Sequence, residues 1–331
     1  VLSPTRTDTS VGSVLATQSG TYGGIDGGRA SPTPPPAAAP CAFFPSDHIW
    51  NTPIQDLPVD PFSAEYVAAI GADSPLHPDF GSGFWEGQPI GIPFIQLAAA
   101  PELVPVAFEY ADESDPGPYP IPPDAPIEGG SGSDGDRHIL MVDLAGCRLY
   151  EMYSAYPEGD GSWRAGSGAV FDLSGYALRP PDWTSADAAG LPIFPGLVRY
   201  EETAAGEILH ALRFTAPDTR RAYVWPARHF ASDSDDPRLP AMGQRFRLRA
   251  DFDLSPFSPA ARAILRALQA YGMMLADNGS PWFLSGAPDE RWDNDRLREL
   301  RQVRGRDFEA VDVSSLMVDE DQGLARTGAG P

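Results

Sequence analysis

Glu128 lies in the stretch PIEGG, and His138 follows Asp136 and Arg137 at the end of a Gly-rich loop. Glycines beside an acid let backbone and substrate approach closely, and loops on a rigid scaffold often carry function. Breaking a glycosidic bond needs two carboxyl groups, one protonated and one ionised, on either side of the scissile bond. Glu128 is the most loop-like acid, and Asp187, Glu201, Glu202 and Asp172 follow it as partners. His138 stands where a base or a ligand could be presented. Asp187 has a competing reading. In WTSADAAG, Ser185 and Asp187 sit where the first N–H groups of a turn need acceptors, so a cap is favoured over an acid held for chemistry. The chain holds 46 acids, so a pair can be named by chance and spacing alone is a weak signal.

The stretch RAYVWPARHF offers the second constellation. Read as a strand, it puts Tyr223, Trp225, Ala227 and His229 on one face, with Arg228 beside them. Sugar rings stack on Trp and Tyr while polar tips bond their hydroxyls, so such a face suits a carbohydrate. Its competitor is a core face closed by a polar edge. Trp183 and Trp282, near turns or strand ends, join Tyr223, Trp225 and Arg228 as expected sugar contacts. The expected catalytic groups are Glu128, His138, Asp187, Glu201 and His229. His210 shares a face with Ile208, Leu212 and Phe214 and reads as a satisfied core residue. His48 and His77 read as structural. Arg245, Arg247 and Arg249 form a row that could hold an anionic glycan by bidentate pairs, but pairing with the abundant acids is favoured.

Composition removes other classes of function. The net charge is −22 and lysine is absent, so all 24 basic residues are Arg. An acidic surface repels phosphate backbones and argues against nucleic acid. Without lysine there is no Schiff-base, pyridoxal or P-loop lysine. HExxH, GxSxG and an EF-hand loop are absent, so no cofactor and no metal is expected; SDSDD (232–236) reads as a solvated acidic loop rather than a Ca²⁺ site. No apolar run approaches the ~20 residues of a membrane helix. Cys41 and Cys147 fit no metal or haem pattern. One disulfide, implying an oxidising compartment, and two buried thiols are both open. The chain begins at Val1 without a signal-peptide core, as expected for a mature exported protein whose leader is gone.

These groups must be positioned by elements rich in turns, since the chain holds 36 Pro and 33 Gly. Residues 1–40 read as a Pro/Gly/Ser/Thr-rich stalk or arm, 41–318 as one globular domain and 319–331 as a tail. IPFIQL, LVPVAFEY, ILHALRFTA, RAYVWPARHF, RFRLRADFDL and PWFLSG read as strands. RHILMVDLAGCRLYEMYSAY reads as a hairpin turning near Ala145 and Gly146. In RFRLRADFDL, alternation predicts one core face and one charged face. DPFSAEYVAAIG (60–71) reads as a helix capped by Asp60, and SPAARAILRALQAYGMMLADNG (258–279) as a longer one capped by Ser258. A further helix is expected from about Asp293 to Leu300. The fold class is mainly β: a large β-sandwich or jelly-roll-like domain with two or three inserted helices.

WTSADAAGLPIFPGLVRYEE, YVWPARHF and YGMMLADNGSPWFLSGAPDERWD, with PIEGG and GDRHIL, resemble a widespread group of exported bacterial proteins of high-GC actinobacterial type. The likeness spans about residues 41–316. It implies export and a single domain, and carries over no catalytic residue. The leading expectation is a secreted or cell-surface protein that acts on a polysaccharide by hydrolysis or β-elimination. The alternatives are a non-catalytic subunit of an extracellular filament, sheath or surface layer that self-assembles through residues 1–40, and a glycan-binding module.

Overall fold

The hairpin forms where alternation and turn chemistry place it. Ile139–Asp143 and Arg148–Tyr153 pair antiparallel, from Ile139 opposite Met152 to Asp143 opposite Arg148. The Asp143 carboxylate closes the turn by accepting the Ala145 and Gly146 N–H groups at 3.0 and 2.9 Å. The computed structural model to which this hairpin belongs describes residues 41–326 except 86, 99 and 100. The arm expected over residues 1–40 lies outside the described residues, as does the tail from 327 onward. Glu320–Arg326, expected to be unstructured, belongs to the fold: Leu324 bridges to His48 and Gln322 to Ala177, and Ala325 is buried.

Strand residues outnumber helical ones, in several sheets. One sheet orders Ser167–Asp172, Arg148–Tyr153, Ile139–Asp143 and Phe94–Gln96. Both its faces are covered. Leu140, Val142, Leu149 and Phe171 join the main core, whereas Ile139, Met141 and Met152 join a smaller core with Tyr119 and Ile121. Two-sided burial explains why ILMV is a continuous apolar run rather than an alternation. The larger sheet orders His77–Asp79, Phe283–Ser285, Leu212–Ala216, Met273–Asn278, Arg245–Leu248 and Phe308–Val311. Cys41 is bonded to Cys147, tying the start of the domain to the hairpin across 106 residues. In the chain-entropy picture a loop of about 100 residues gains about 4.7 kcal/mol from such a link. Among the described residues no helix is long and apolar enough to cross a membrane.

Three element expectations need correction. The helix begun by Ser258 and Pro259 ends at Ala270 rather than near Asn278. Gly272 adopts φ +67°, and a Cβ there would meet the Phe246 carbonyl oxygen at 2.2 Å, so the chain reverses and Met273–Asn278 becomes a strand. The apolar run after Gly272 suits either element, so periodicity could not find the break.

RFRLRADFDL forms a strand only over Arg245–Leu248, and all four residues are buried. Its arginine face is not solvent-facing, because residues 49–57 cross it. Arg247 donates to the carbonyls of Ile54, Gln55 and Leu57 and pairs with Glu309, while Arg245 donates to those of Tyr271 and Ile49. RAYVWPARHF is not a strand. Tyr223 makes one isolated bridge to Met242, and a turn closed by Ala227 N–H on the Val224 carbonyl follows. Pro226 has no N–H for a ladder, so the run breaks where Trp225 meets it.

Candidate active site

The Gly-rich loop is held from inside by Arg137. This residue is 2 % exposed and donates to the carbonyls of Ser131 (3.0 Å), Ser133 (2.9 Å) and Ala155 (3.0 Å). Its cation also lies 4.1 Å from the centre of the Tyr156 ring. Gly130, at φ +79°, packs on Gln88, whose Oε1 would stand 2.0 Å from a Cβ. The loop so fixed sets the Glu128 carboxylate 2.5 Å from Nδ1 of His138. The other ring nitrogen of His138 lies 2.9 Å from the Ala186 carbonyl oxygen. Both nitrogens thus face acceptors, the pattern of an imidazolium. Burial opposes the charge, but Glu128 overrides it and raises His138 to about 9. Burial likewise opposes the Glu128 carboxylate, yet His138 holds it below its ordinary value. Neither ring nitrogen is left to take a proton from a substrate, so His138 is a positioning residue for Glu128.

The larger sheet supplies the opposite wall. Asp79 pairs with Ser285, and the neighbouring pair Phe214–Leu284 brings Ser285 beside Arg213. Arg213 is buried and donates to Ser285 Oγ at 2.6 Å. Its remaining edge grips Asp187 through two bonds of 2.7 and 2.8 Å. Burial would discharge Arg213, but Asp187 more than offsets this and keeps the guanidinium charged.

A β-bulge adds the last acid. Phe214 pairs with Leu275, but Thr215 pairs with Asp277, so Ala276 is passed over. Regular alternation from Met274, the partner of Arg213, would turn Asp277 to the other side of the sheet. The extra residue returns it to the side of Arg213 and Thr215. Asp277 Oδ2 consequently lies 3.5 Å from Arg213 Nη2. Burial and the nearby Asp187 charge raise Asp277 to about 7, against the pull of Arg213 and His138.

The side chains of Glu128 and Asp277 are each 25 % exposed, whereas Asp187 is fully covered. Asp79 and Asp136 are exposed at the same cluster, and Asp79 is raised by its protein surroundings and by the charge of Glu128. The cluster therefore reaches solvent through carboxyl groups of opposite tendency, one ionised and one poised near neutrality, around a fixed guanidinium. Such a split is how a pair of acids divides into proton donor and anion. Ligand atoms of Glu128, Asp136 and His138 lie within 4.8 Å of one another, a grouping that could hold a cation. His138 could join it only by giving up one of its two bonds. Glu151 is buried and accepts the Ile193 and Phe194 N–H groups at 3.0 and 2.9 Å; burial raises it to about 7, and its role is to anchor the segment after Asp187.

Of the groups expected to do chemistry, Glu128, His138 and Asp187 come together here, and Glu201 does not. Glu201 is exposed and pairs with Arg291. Asp187 is not a helix cap, for no helix starts there: Ser185 Oγ accepts its N–H at 2.9 Å, and its carboxylate serves Arg213 instead. His229 lies across the same turn, with Nδ1 2.8 Å from the Ala188 carbonyl oxygen and Nε2 3.9 Å from Glu113. Trp282 is fully buried in the main core and donates to the Gly71 carbonyl, so it meets no sugar. Trp183 is half-buried, its ring 5.4 Å from the Arg179 cation. Tyr223, Trp225 and Arg228 do share a surface: they line a cavity of about 560 Å³. Arg213 and Asp277 escaped the sequence reading. Arg213 lies on the face of ILHALRFTA opposite Ile208, Leu212 and Phe214, where alternation leaves an arginine unremarkable, and Asp277 lies in a run that reads as helix.

Compared with protein-family models, with curated proteins and with solved structures, the chain matches none.

Proposed function

We propose that this protein cleaves a polysaccharide by acid–base chemistry at the cluster of Glu128, Arg213 and Asp277. The supporting observation is the split between two solvent-reaching carboxyls: Glu128 is held ionised by His138, and Asp277 is raised to about 7. In this reading Asp277 protonates the leaving oxygen and Glu128 is the anion on the other side of the bond. Arg213 and His138 hold the two carboxyls in place, and Asp187 fixes Arg213. The aromatic cavity at Tyr223 and Trp225 supports a saccharide in place of another polar substrate. We also read the two larger sheets as layers of a sandwich, since Leu140 and Phe171 of one share a core with Phe214 and Leu275 of the other. Secretion to an oxidising compartment suits the Cys41–Cys147 bond.

The test is product release from a panel of neutral and acidic polysaccharides, read both as new reducing ends and as unsaturated uronate. Hydrolysis predicts reducing ends alone. Asp277→Asn and Glu128→Gln should each lower the rate by about 10²-fold or more while the protein stays folded, the scale expected for a lost acid or base. Unsaturated products would replace hydrolysis with elimination. No product from any glycan would remove the enzyme and leave a binding or assembly protein.

A further inference from the structure

The cavity beside Trp225 has features that acid–base chemistry does not use. Tyr223 and Trp225 border it, both half-buried and so in touch with solvent. Arg228 also lines it and is 5 % exposed. Two of its nitrogens are engaged, Nη1 by the Glu320 carbonyl and Nη2 by the Asp321 carboxylate, each at 2.6 Å. Its Nε has no partner among the described residues. A buried donor without an acceptor is costly, and a bound oxygen would satisfy it. The rest of the polar lining is three acids, Asp60, Asp312 and Glu320, with the neutral Gln244 and Ser314.

These groups define the ligand. The charge of Arg228 is already matched by Asp321, and three further carboxyls repel an anion. Carboxylates accept hydrogen bonds from hydroxyl groups, and the Arg228 Nε–H donates one. Two aromatic faces offer a platform for apolar ring faces. We infer that this cavity is a saccharide-binding site for neutral sugars, distinct from the carboxyl cluster around Arg213. The choice of a sugar rests on the proposed function, but the site itself does not require catalysis.

The experiment is calorimetric titration of the full chain with four hexasaccharides, built from glucose, xylose, galactose or galacturonate. At least one neutral hexasaccharide should bind and the galacturonate one should not. Trp225→Ala should weaken that binding at least tenfold, and Asp312→Ala, at an exposed position, about threefold. Asp277→Asn should leave affinity unchanged while abolishing product release, which separates failure of this site from failure of the proposed chemistry. Because Trp225 also donates to the Gln322 carbonyl, each variant is checked for an unchanged melting temperature; if Trp225→Ala unfolds, Asp312→Ala and Trp225→Phe carry the test. No binding by any neutral hexasaccharide, tighter binding of the galacturonate one, or affinity indifferent to these substitutions would overturn the site.

Discussion

Two buried arginines stand in one row across the larger sheet, and they have opposite surroundings. Arg213 and Arg245 both pair in register with Met274, one from each side. Arg213 faces Asp187, Asp277 and Ser285, and its charge is secured. Among the described residues Arg245 donates to the carbonyls of Tyr271 and Ile49 and to no carboxylate, and burial lowers it to about 9. The same residue type at equivalent register thus makes a charged, solvent-linked cluster on one side and a dry strut on the other. What separates them is the neighbouring chain: the loop carrying Asp187 closes over one, and residues 49–57 close over the other.

Breaking the first arrangement should have the largest effect. Arg213→Met leaves Asp187 buried without a partner and should cost about 3–5 kcal/mol in chemical denaturation, the range for a broken buried ion pair. Adding Asp187→Leu should recover much of that loss, since a buried pair can be replaced by apolar groups more easily than it can be halved. Asp187→Asn should likewise change stability more than it changes turnover by any other route; a fully folded Asp187→Asn protein without activity would make Asp187 a direct participant. Arg245→Met should cost less, about 1–3 kcal/mol, because it strands carbonyls rather than a charge. Equal losses at both sites would erase the contrast.

Protonation sharpens the same contrast. His138 is raised above its ordinary 6.5 to about 9, so its contribution to stability is fully present below about 6.5 and lost as the pH rises through about 9. Glu128 is lowered, so its contribution is present above about 4.5 and lost as the pH falls through its folded value. Melting temperature against pH should therefore decline on the alkaline side, and His138→Gln should flatten that decline. Activity should fall as the pH rises through about 7, where Asp277 loses the proton it must donate. At the bottom of the scale, Glu201→Gln should shift stability by no more than about 0.5 kcal/mol, as expected of an exposed pair.

Local chemistry carried what could be read in advance. The hairpin at Ala145 and Gly146, the cap at Ser258, the helix opening at Asp293, and the loop carrying Glu128 and His138 all follow from residues close in sequence. The burial of Arg245 and Arg247 was hidden because the covering segment lies about 190 residues away. Asp187 was singled out, but its partner Arg213 stands 26 residues on, in a strand that reads as apolar. Tyr223 and Trp225 meet at one cavity although the strand invoked to align them does not form. Their neighbourhood comes from a turn rather than from alternation, and His229, expected on the same face, does not line that cavity.

The skipped alanine in Met273–Asn278 makes the candidate site a matter of parity. An odd count separates Met274 from Asp277, and only an irregular strand can turn that odd count into a shared side. Removing Ala276 would even the step and leave every other letter of the chain intact. Asp277 would then follow Leu275 directly and stay opposite Thr215, on the side of Arg213, with no residue passed over. A single missing residue, with no change of charge, would thereby remove the irregularity yet keep the proposed donor at its guanidinium, and a deletion at this point should spare activity that replacing the acid abolishes.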